Sequence, residues 1–143
     1  MDRVWRSSLV LALVLGTAGC ADTGSGTLPS PPAAAPGSHC TPAPDPLAFQ
    51  ITYRLLPSGR RLQRPFMATE PGRIYVAANT LEANGTPRET GAVWVAKDAE
   101  GDGLSSVNDV ARAESDLPDA RTAFPGAETS PVLAALLACV QTG

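Results

Sequence analysis

Residues 74–96, which read IYVAANTLEANGTPRETGAVWVA, place two β-rich runs on either side of the strongest hairpin signal in the chain. The first five and the last five residues of this stretch are apolar, and Asn84-Gly85 between them favours a reversal of the backbone. Trp94 lies inside the second run, where an aromatic side chain is expected to be buried. The stretch therefore predicts a long β-hairpin at the centre of the fold.

Two further strands are predicted upstream of this hairpin. Residues 49–55 alternate apolar and polar side chains, which is the period of a half-buried strand. The turn signal Pro57-Ser-Gly59 follows, and residues 61–66 then return as a short partner strand. Together with the hairpin, these segments predict a small antiparallel sheet of about four strands.

Helical patterns follow the strands. Residues 106–115 carry apolar side chains at helical spacing, and residues 122–129, which contain Pro125-Gly126, are expected to form a loop. Ser130 before Pro131 is typical of a helix start, and an apolar stripe runs from there to the C-terminus. Strands first and helices afterwards predict an α+β domain, residues 40–143, whose antiparallel sheet packs against a C-terminal helix.

The N-terminus has the layout of a secretory signal peptide. Arg3 and Arg6 precede an apolar run at residues 9–15, and small residues then lead up to Cys20. The apolar run is about half the roughly 20 residues that a transmembrane helix needs. We therefore expect export of the protein without a membrane-spanning anchor.

The end of this segment, Gly16-Thr-Ala-Gly-Cys20, resembles the lipobox of bacterial lipoproteins. In that family a peptidase cuts before a cysteine whose thiol carries a diacylglyceryl group, with acyl chains such as palmitate. The family usually has Leu three residues before the cysteine, where this chain has Thr17. The resemblance covers the first 20 residues only. It implies a signal peptide at residues 1–19, lipidation of Cys20 and a location at the extracytoplasmic face of the cell membrane; the alternative is an ordinary signal peptide cut nearby.

If Cys20 carries lipid, Cys40 and Cys139 are the two thiols that remain. An oxidising compartment favours their pairing, and an unpaired third cysteine would be unusual in an exported protein. The disulfide would close a loop of about 100 residues, which in the chain-entropy model contributes on the order of 4 to 5 kcal/mol. The alternative is two separate free thiols.

Residues 20–39 join the lipidation site to the predicted domain. They are rich in Pro, Gly, Ser and Ala and carry almost no large apolar side chain, so they cannot bury enough surface to order themselves. We interpret them as a tether that displays the domain away from the membrane. His39, at the end of this tether, is interpreted as a solvated linker residue.

The charge balance excludes one class of partner. Without Arg3, Arg6 and Asp2, the mature chain keeps 9 Lys and Arg against 13 Asp and Glu, so its formal charge is near −4 and nucleic acid is not an expected partner. Five arginines between residues 54 and 73 are accompanied there by one acid, whereas eight acids lie between residues 98 and 128. This segregation indicates either an anion-binding patch or two segments that neutralise each other in the fold.

Few residues are suited to catalysis. His39 is the single histidine, so a Ser-His-Asp or Cys-His site would lack its base. Paired carboxylates, which a small cell-wall hydrolase would need, are present in number, but no spacing singles out a pair. A zinc site is not expected, because no CxxC or HxxxH spacing occurs.

One acidic segment, residues 98–109, is similar to an EF-hand calcium loop. Asp98, Glu100 and Asp102 occupy its first, third and fifth places, Gly103 the sixth, and Asp109 the last. Calcium needs several hard oxygen ligands on one short loop, and the glycine permits the sharp turn. However, Asp109 replaces the usual bidentate Glu, so an acidic turn without metal is the alternative.

These observations predict a lipid-anchored, non-enzymatic domain of the bacterial cell envelope. We expect it to contact the membrane through its lipid and to bind an envelope ligand or protein, or to support other envelope components. A calcium-binding version of the same domain is the second hypothesis, and a small cell-wall hydrolase is the third. No other cofactor is expected.

Overall fold

The computed structural model describes residues 40–142, which form a five-stranded antiparallel sheet in the sequential order β1-β2-β3-β4-β5. The strands are β1 (Thr41–Pro42), β2 (Arg61–Glu70), β3 (Arg73–Leu81), β4 (Ala92–Ala96) and β5 (Ser105–Ser106). The helices are α1 (Asp45–Tyr53), α2 (Asp109–Glu114), α3 (Ala120–Ala123) and α4 (Val132–Thr142), with a 3-10 turn at Ala127–Thr129. The predicted signal peptide, the lipidated Cys20, the linker at 20–39 and His39 lie outside the described residues.

The predicted hairpin is the centre of the sheet. β3 and β4 pair in antiparallel register, with Val76 opposite Trp94. Beyond the ladder, the Thr80 N–H donates to Glu89 O at 2.9 Å, and Thr80 O accepts from the Arg88 N–H at 3.0 Å. Trp94 is completely buried, as predicted.

Helices cover both faces of the two central strands. Alternate residues of a strand point to opposite faces, so β3 and β4 contribute to two apolar clusters. One cluster joins Val76, Ala78 and Trp94 to α1 and α2. The other joins Tyr75, Ala77, Val93 and Val95 to α3 and α4. The sheet is therefore the middle of three layers, and the predicted α+β class, with its C-terminal helix on the sheet, is confirmed.

The prediction of a strand at residues 49–55 is wrong, because residues 49–53 belong to helix α1 and Leu55 forms only an isolated antiparallel bridge, with Ser115. Leu47, Ile51 and Leu55 are spaced by four residues and are all buried. Pro46 in the first turn suits a helix start, since its fixed φ is already helical and its missing N–H has no helical partner at that position. A spacing of four satisfies both an alternating and a helical pattern, and the helical one determined the fold.

Two other boundaries differ from the sequence prediction. Strand β2 continues four residues beyond the predicted 61–66, to Glu70, because β3 pairs with it throughout that length. The predicted loop at 122–129 contains the end of α3 and the 3-10 turn. The predicted strand at 49–55 is absent and two short strands, β1 and β5, are added at the sheet edges, so the sheet has five strands instead of about four.

The predicted disulfide between Cys40 and Cys139 is confirmed. It joins the residue before β1 to the last turn of α4, across a sequence separation of 99 residues. Thus one covalent bond ties the beginning of the described chain to its final helix. Within residues 40–142, no helix is long and apolar enough to cross a membrane.

Candidate functional site

Three large apolar side chains are exposed in the part of the chain that the structure describes, and all belong to one segment. Phe49 is 68% exposed, Tyr53 78% and Leu56 48%. Phe49 and Tyr53 are four residues apart on α1 and therefore share a helix face, and Leu56 follows the helix end. We call these three residues the α1 ridge. Clustered apolar side chains in water commonly mark a binding surface.

Packing of the opposite helix face explains why α1 presents this ridge. Leu47 and Ile51 are fully buried against the sheet. With these two residues facing inward, the helix must turn Phe49 and Tyr53 outward. The exposure of the aromatic pair thus follows directly from how α1 is anchored.

A cavity of about 390 Å³ adjoins α1. Gln50 and Arg54, which are also four residues apart, form its helical wall. The other walls come from the acidic loop and from the segment after α2, through Gly101, Gly103, Leu104, Ser105, Leu117, Pro118 and Ala123. A largely apolar cleft with a few polar groups therefore lies between α1, the helix that carries the ridge, and the acidic loop.

Gly101 brings the acidic loop against α1. A Cβ atom at this position would lie 3.5 Å from both Leu47 Cδ1 and Gln50 Cγ, and its φ of +91° is one that residues with side chains rarely adopt. The loop and the helix are thus in close contact, and they form one surface.

The structure places the four residues of the predicted calcium site in two locations. Asp98 and Asp102 share a turn, where Asp98 Oδ1 accepts from the Asp102 N–H at 2.9 Å and Asp102 pairs with Lys97 at 3.0 Å. Glu100 is exposed in the same turn. Asp109 begins α2 and pairs with Arg112 at 2.7 Å.

Among residues 40–142, no group of three or more His, Cys, Asp and Glu side chains is arranged to hold a metal ion. The Asp98–Asp102 turn supplies carboxylates from one side, and Asp109 is directed to a guanidinium instead. Calcium binding by the loop therefore stays a hypothesis, and an acidic turn without metal stays its alternative.

The end of α1 is joined to the end of α2. Arg54 Nε donates to Asp116 Oδ1 at 2.6 Å, and Arg54 O accepts from the Asp116 N–H at 3.1 Å. One step further along, the Leu56 N–H donates to Glu114 O at 2.8 Å. These bonds hold the C-terminal end of the ridge in place.

Behind this joint lies a group of charged residues that we call the Glu114 cluster: Arg60, Thr80, Glu82, Arg88 and Glu114. Glu114 is 1% exposed, and its carboxylate accepts from Arg60 Nη1 at 3.0 Å, Thr80 Oγ1 at 3.1 Å and Arg88 Nε at 2.9 Å. Glu82 pairs with Arg88 at 3.0 Å. The cluster contains two cations and two anions and is formally neutral. Arg60 and Glu114 are buried, whereas Arg88 is 40% exposed and Glu82 34%.

Arg60 connects this cluster to the ridge. Its Nη1 also donates to Leu56 O, while its buried Nε has no hydrogen-bond partner among residues 40–142. The hydrogen bond from Arg88 to Glu114 raises the pKa of the Arg88 guanidinium above its ordinary value. Because Glu114 already accepts three hydrogen bonds, we assign the cluster a structural role.

Sequence reasoning did not identify the ridge or the cluster. The ridge is hidden because the alternation of residues 49–55 predicts a strand with Phe49 and Tyr53 on its buried side. The cluster joins residues up to 54 positions apart, and the only signal was the segregation of charge along the chain. Of its two interpretations, mutual neutralisation agrees with the Arg54–Asp116 and Arg60–Glu114 pairs.

Comparisons of the chain with protein-family models, with curated proteins and with solved structures found no match. Its function must therefore be inferred from its own residues. The combination that bears on function is an exposed apolar ridge, an adjoining cleft and an acidic loop on one surface.

Proposed function

We propose that the protein is a lipid-anchored, extracytoplasmic binding module of the bacterial cell envelope, with no enzymatic activity of its own. The observation that carries the binding role is the α1 ridge, which gathers all three exposed large apolar side chains of the described residues. Burial of such side chains by a partner is favourable, at roughly 25 cal/mol per Å² of apolar surface.

The anchoring part of the proposal rests on the N-terminus. The resemblance of Gly16-Thr-Ala-Gly-Cys20 to a lipobox supports lipidation of Cys20, and the composition of residues 20–39 supports a tether. The Cys40–Cys139 disulfide adds independent support for an exported protein, because disulfides persist mainly in oxidising compartments.

Substitution of Cys20 tests the anchor. In cells that process lipoproteins, we expect the wild-type protein to incorporate labelled palmitate and to partition with the membrane fraction. Cys20→Ala should lose the label and either appear in the non-membrane extracytoplasmic fraction or accumulate as uncleaved precursor.

Thr17→Leu is the matched control, because it restores the residue that lipoboxes usually carry at that position. We expect it to keep the label and the membrane location. Normal cleavage and unchanged membrane partition of Cys20→Ala would contradict the lipoprotein proposal, whatever the behaviour of the control.

A further inference from the structure

We infer that the α1 ridge and the acidic loop together dock a positively charged segment of a second envelope protein. The inference rests on the proposed function, since it assumes that the domain is displayed in the envelope. It adds the location of the binding surface and the chemistry of the partner.

The apolar part of the surface is the ridge itself. Phe49 and Tyr53 expose more than two thirds of their area on one helix face, and Leu56, three residues beyond Tyr53, is 48% exposed. Aromatic side chains provide large contact areas with few rotatable bonds, and tyrosine adds a hydroxyl that can bond at the rim. The cleft beside α1 can receive a side chain of the partner. Gln50 and Arg54, on the same helix as Phe49 and Tyr53, line this cleft.

α1 and the loop packed against it have a net negative charge. They carry four carboxylates, Asp45, Asp98, Glu100 and Asp102. The cations that flank them, Arg54 after α1 and Lys97 before the loop, pair with Asp116 at 2.6 Å and with Asp102 at 3.0 Å. Asp45 and Glu100 are exposed and remain available to a partner's Lys or Arg. A Lys or Arg of the partner can also lie over the Phe49 and Tyr53 rings, where the ring quadrupole attracts it.

This charge pattern favours a basic protein segment over the other candidate occupants. A membrane-binding helix face normally combines its aromatics with Lys and Arg, whereas this one is flanked by carboxylates that repel anionic headgroups. A second copy docked face to face would bring the same carboxylates against each other. Charge complementarity is thus the argument for the partner's chemistry.

Photo-crosslinking in cells of the native host identifies the occupant. The full-length protein carries benzoylphenylalanine in place of Phe49 or, separately, Tyr53, and the matched control carries it in place of the exposed Ala134 on α4. We expect adducts from positions 49 and 53, but not from 134, with one protein, at a peptide rich in Lys and Arg. Phe49→Ser in the protein labelled at 53 should reduce the adduct by about an order of magnitude without lowering the melting temperature.

Four results would overturn the inference: adducts with lipid, adducts with a second copy of the chain, adducts mapped to an acidic or uncharged peptide, and adducts no more abundant than those of the Ala134 control. Palmitate labelling and fractionation of the same cells separate this failure from failure of the proposed function. If the protein is lipidated, lies in the membrane fraction and gives adducts from positions 49 and 53 with a different occupant, the inference alone is wrong.

Discussion

The Glu114 cluster and the acidic loop are the two carboxylate-rich regions of the described chain, and they use their charges in opposite ways. Glu114 is 1% exposed and takes its partners from residues 60, 80 and 88. In the loop, Asp102 is 62% exposed and pairs with the near neighbour Lys97. Because Glu114 is buried, it stabilises the fold, whereas the exposed carboxylates of the acidic loop can contact a partner.

The contrast shows that a charge motif that is easily recognised in the sequence need not contribute much to the free energy of unfolding. Carboxylates that are contiguous in sequence resemble a ligand loop, yet exposed ion pairs contribute about 0 to 1 kcal/mol. The buried cluster is scattered through the sequence, yet removal of the Glu114 charge leaves the buried Arg60 with only the more distant Glu82, at 3.5 Å, as an anionic partner. The following predictions test this difference in order of expected effect.

Glu114→Gln is expected to have the largest effect. The amide keeps the size of the side chain but removes the nearer of the two carboxylates that pair with Arg60, at 3.0 Å against 3.5 Å for Glu82, and Arg60 is 6% exposed. Loss of one partner of a buried ion pair costs about 3 to 5 kcal/mol of unfolding free energy. Urea unfolding measures this loss. Glu100→Gln, an exposed loop carboxylate, is the control and should stay within about 0.5 kcal/mol of wild type.

Replacement of both buried partners tests whether Arg60 and Glu114 act as a unit. In Arg60→Met/Glu114→Met no unpaired charge remains at either position, and methionine can fill irregular space. Such replacements are often neutral or stabilising, so the double variant should be more stable than Glu114→Met alone. A double-mutant cycle from urea unfolding gives the coupling free energy. A double variant that loses the sum of the two single effects would show that the pair does not act as a unit.

In the acidic loop, Asp98→Ala is expected to cost about 1 kcal/mol or less. It removes the acceptor for the Asp102 N–H, which lies at 2.9 Å in an exposed turn where water can replace it. Asp98→Asn keeps an oxygen acceptor and should recover most of that loss. The two variants can be compared by thermal unfolding, and equal destabilisation by both would assign the effect to charge rather than to the hydrogen bond.

Calcium provides a sharper test of the loop. If Asp98, Glu100, Asp102 and Asp109 form a site, 10 mM calcium should raise the melting temperature by a few degrees over chelator, because ligand binding stabilises the folded state. Since Asp109 pairs with Arg112 and Asp102 with Lys97, we expect no measurable shift. Asp98→Asn/Asp102→Asn is the control, and a wild-type shift that this variant abolishes would establish the calcium hypothesis.

The last prediction concerns the effect of pH on Asp119, a half-buried acid at the N-cap of α3. Hydrogen bonds from the Arg121 side chain and backbone N–H lower the pKa of Asp119 to about 2. The carboxylate is thus favoured in the folded state, so its contribution is complete above its unfolded pKa near 4 and is lost as the pH falls through about 2. Arg121→Ala should raise the pKa of Asp119 and flatten the stability profile between pH 4 and 2. NMR titration of the Asp119 carboxyl carbon measures its pKa in the wild-type protein and in the Arg121→Ala variant.

The elements that the sequence predicted correctly are those with redundant local signals. The hairpin combines two β-rich runs with Asn84-Gly85, and α4 combines a Ser130-Pro131 start with an apolar stripe. The disulfide followed from the number of cysteines. These features depend on neighbours in sequence, and the fold class followed from their order.

The missed features depend on contacts that sequence spacing does not encode. At residues 47–55, a spacing of four fits both a strand and a helix, and the choice was made by packing of Leu47 and Ile51 on the sheet. The Glu114 cluster exists only because the hairpin brings Thr80 and Arg88 beside the end of α2. Consequently the candidate site, which the helical turn of α1 creates, could not be located from sequence.

The central claim is that the acidic loop contributes to partner binding, whereas the Glu114 cluster stabilises the fold. It is tested most directly by the yield of photo-crosslinks from position 53 in two otherwise full-length variants. Glu100→Lys/Asp102→Lys should lower the yield by about an order of magnitude at an unchanged melting temperature, because it reverses the charge that faces a basic partner. Glu114→Gln should lower the melting temperature and leave the yield of the folded protein unchanged. An unchanged yield after charge reversal in the loop would contradict the account.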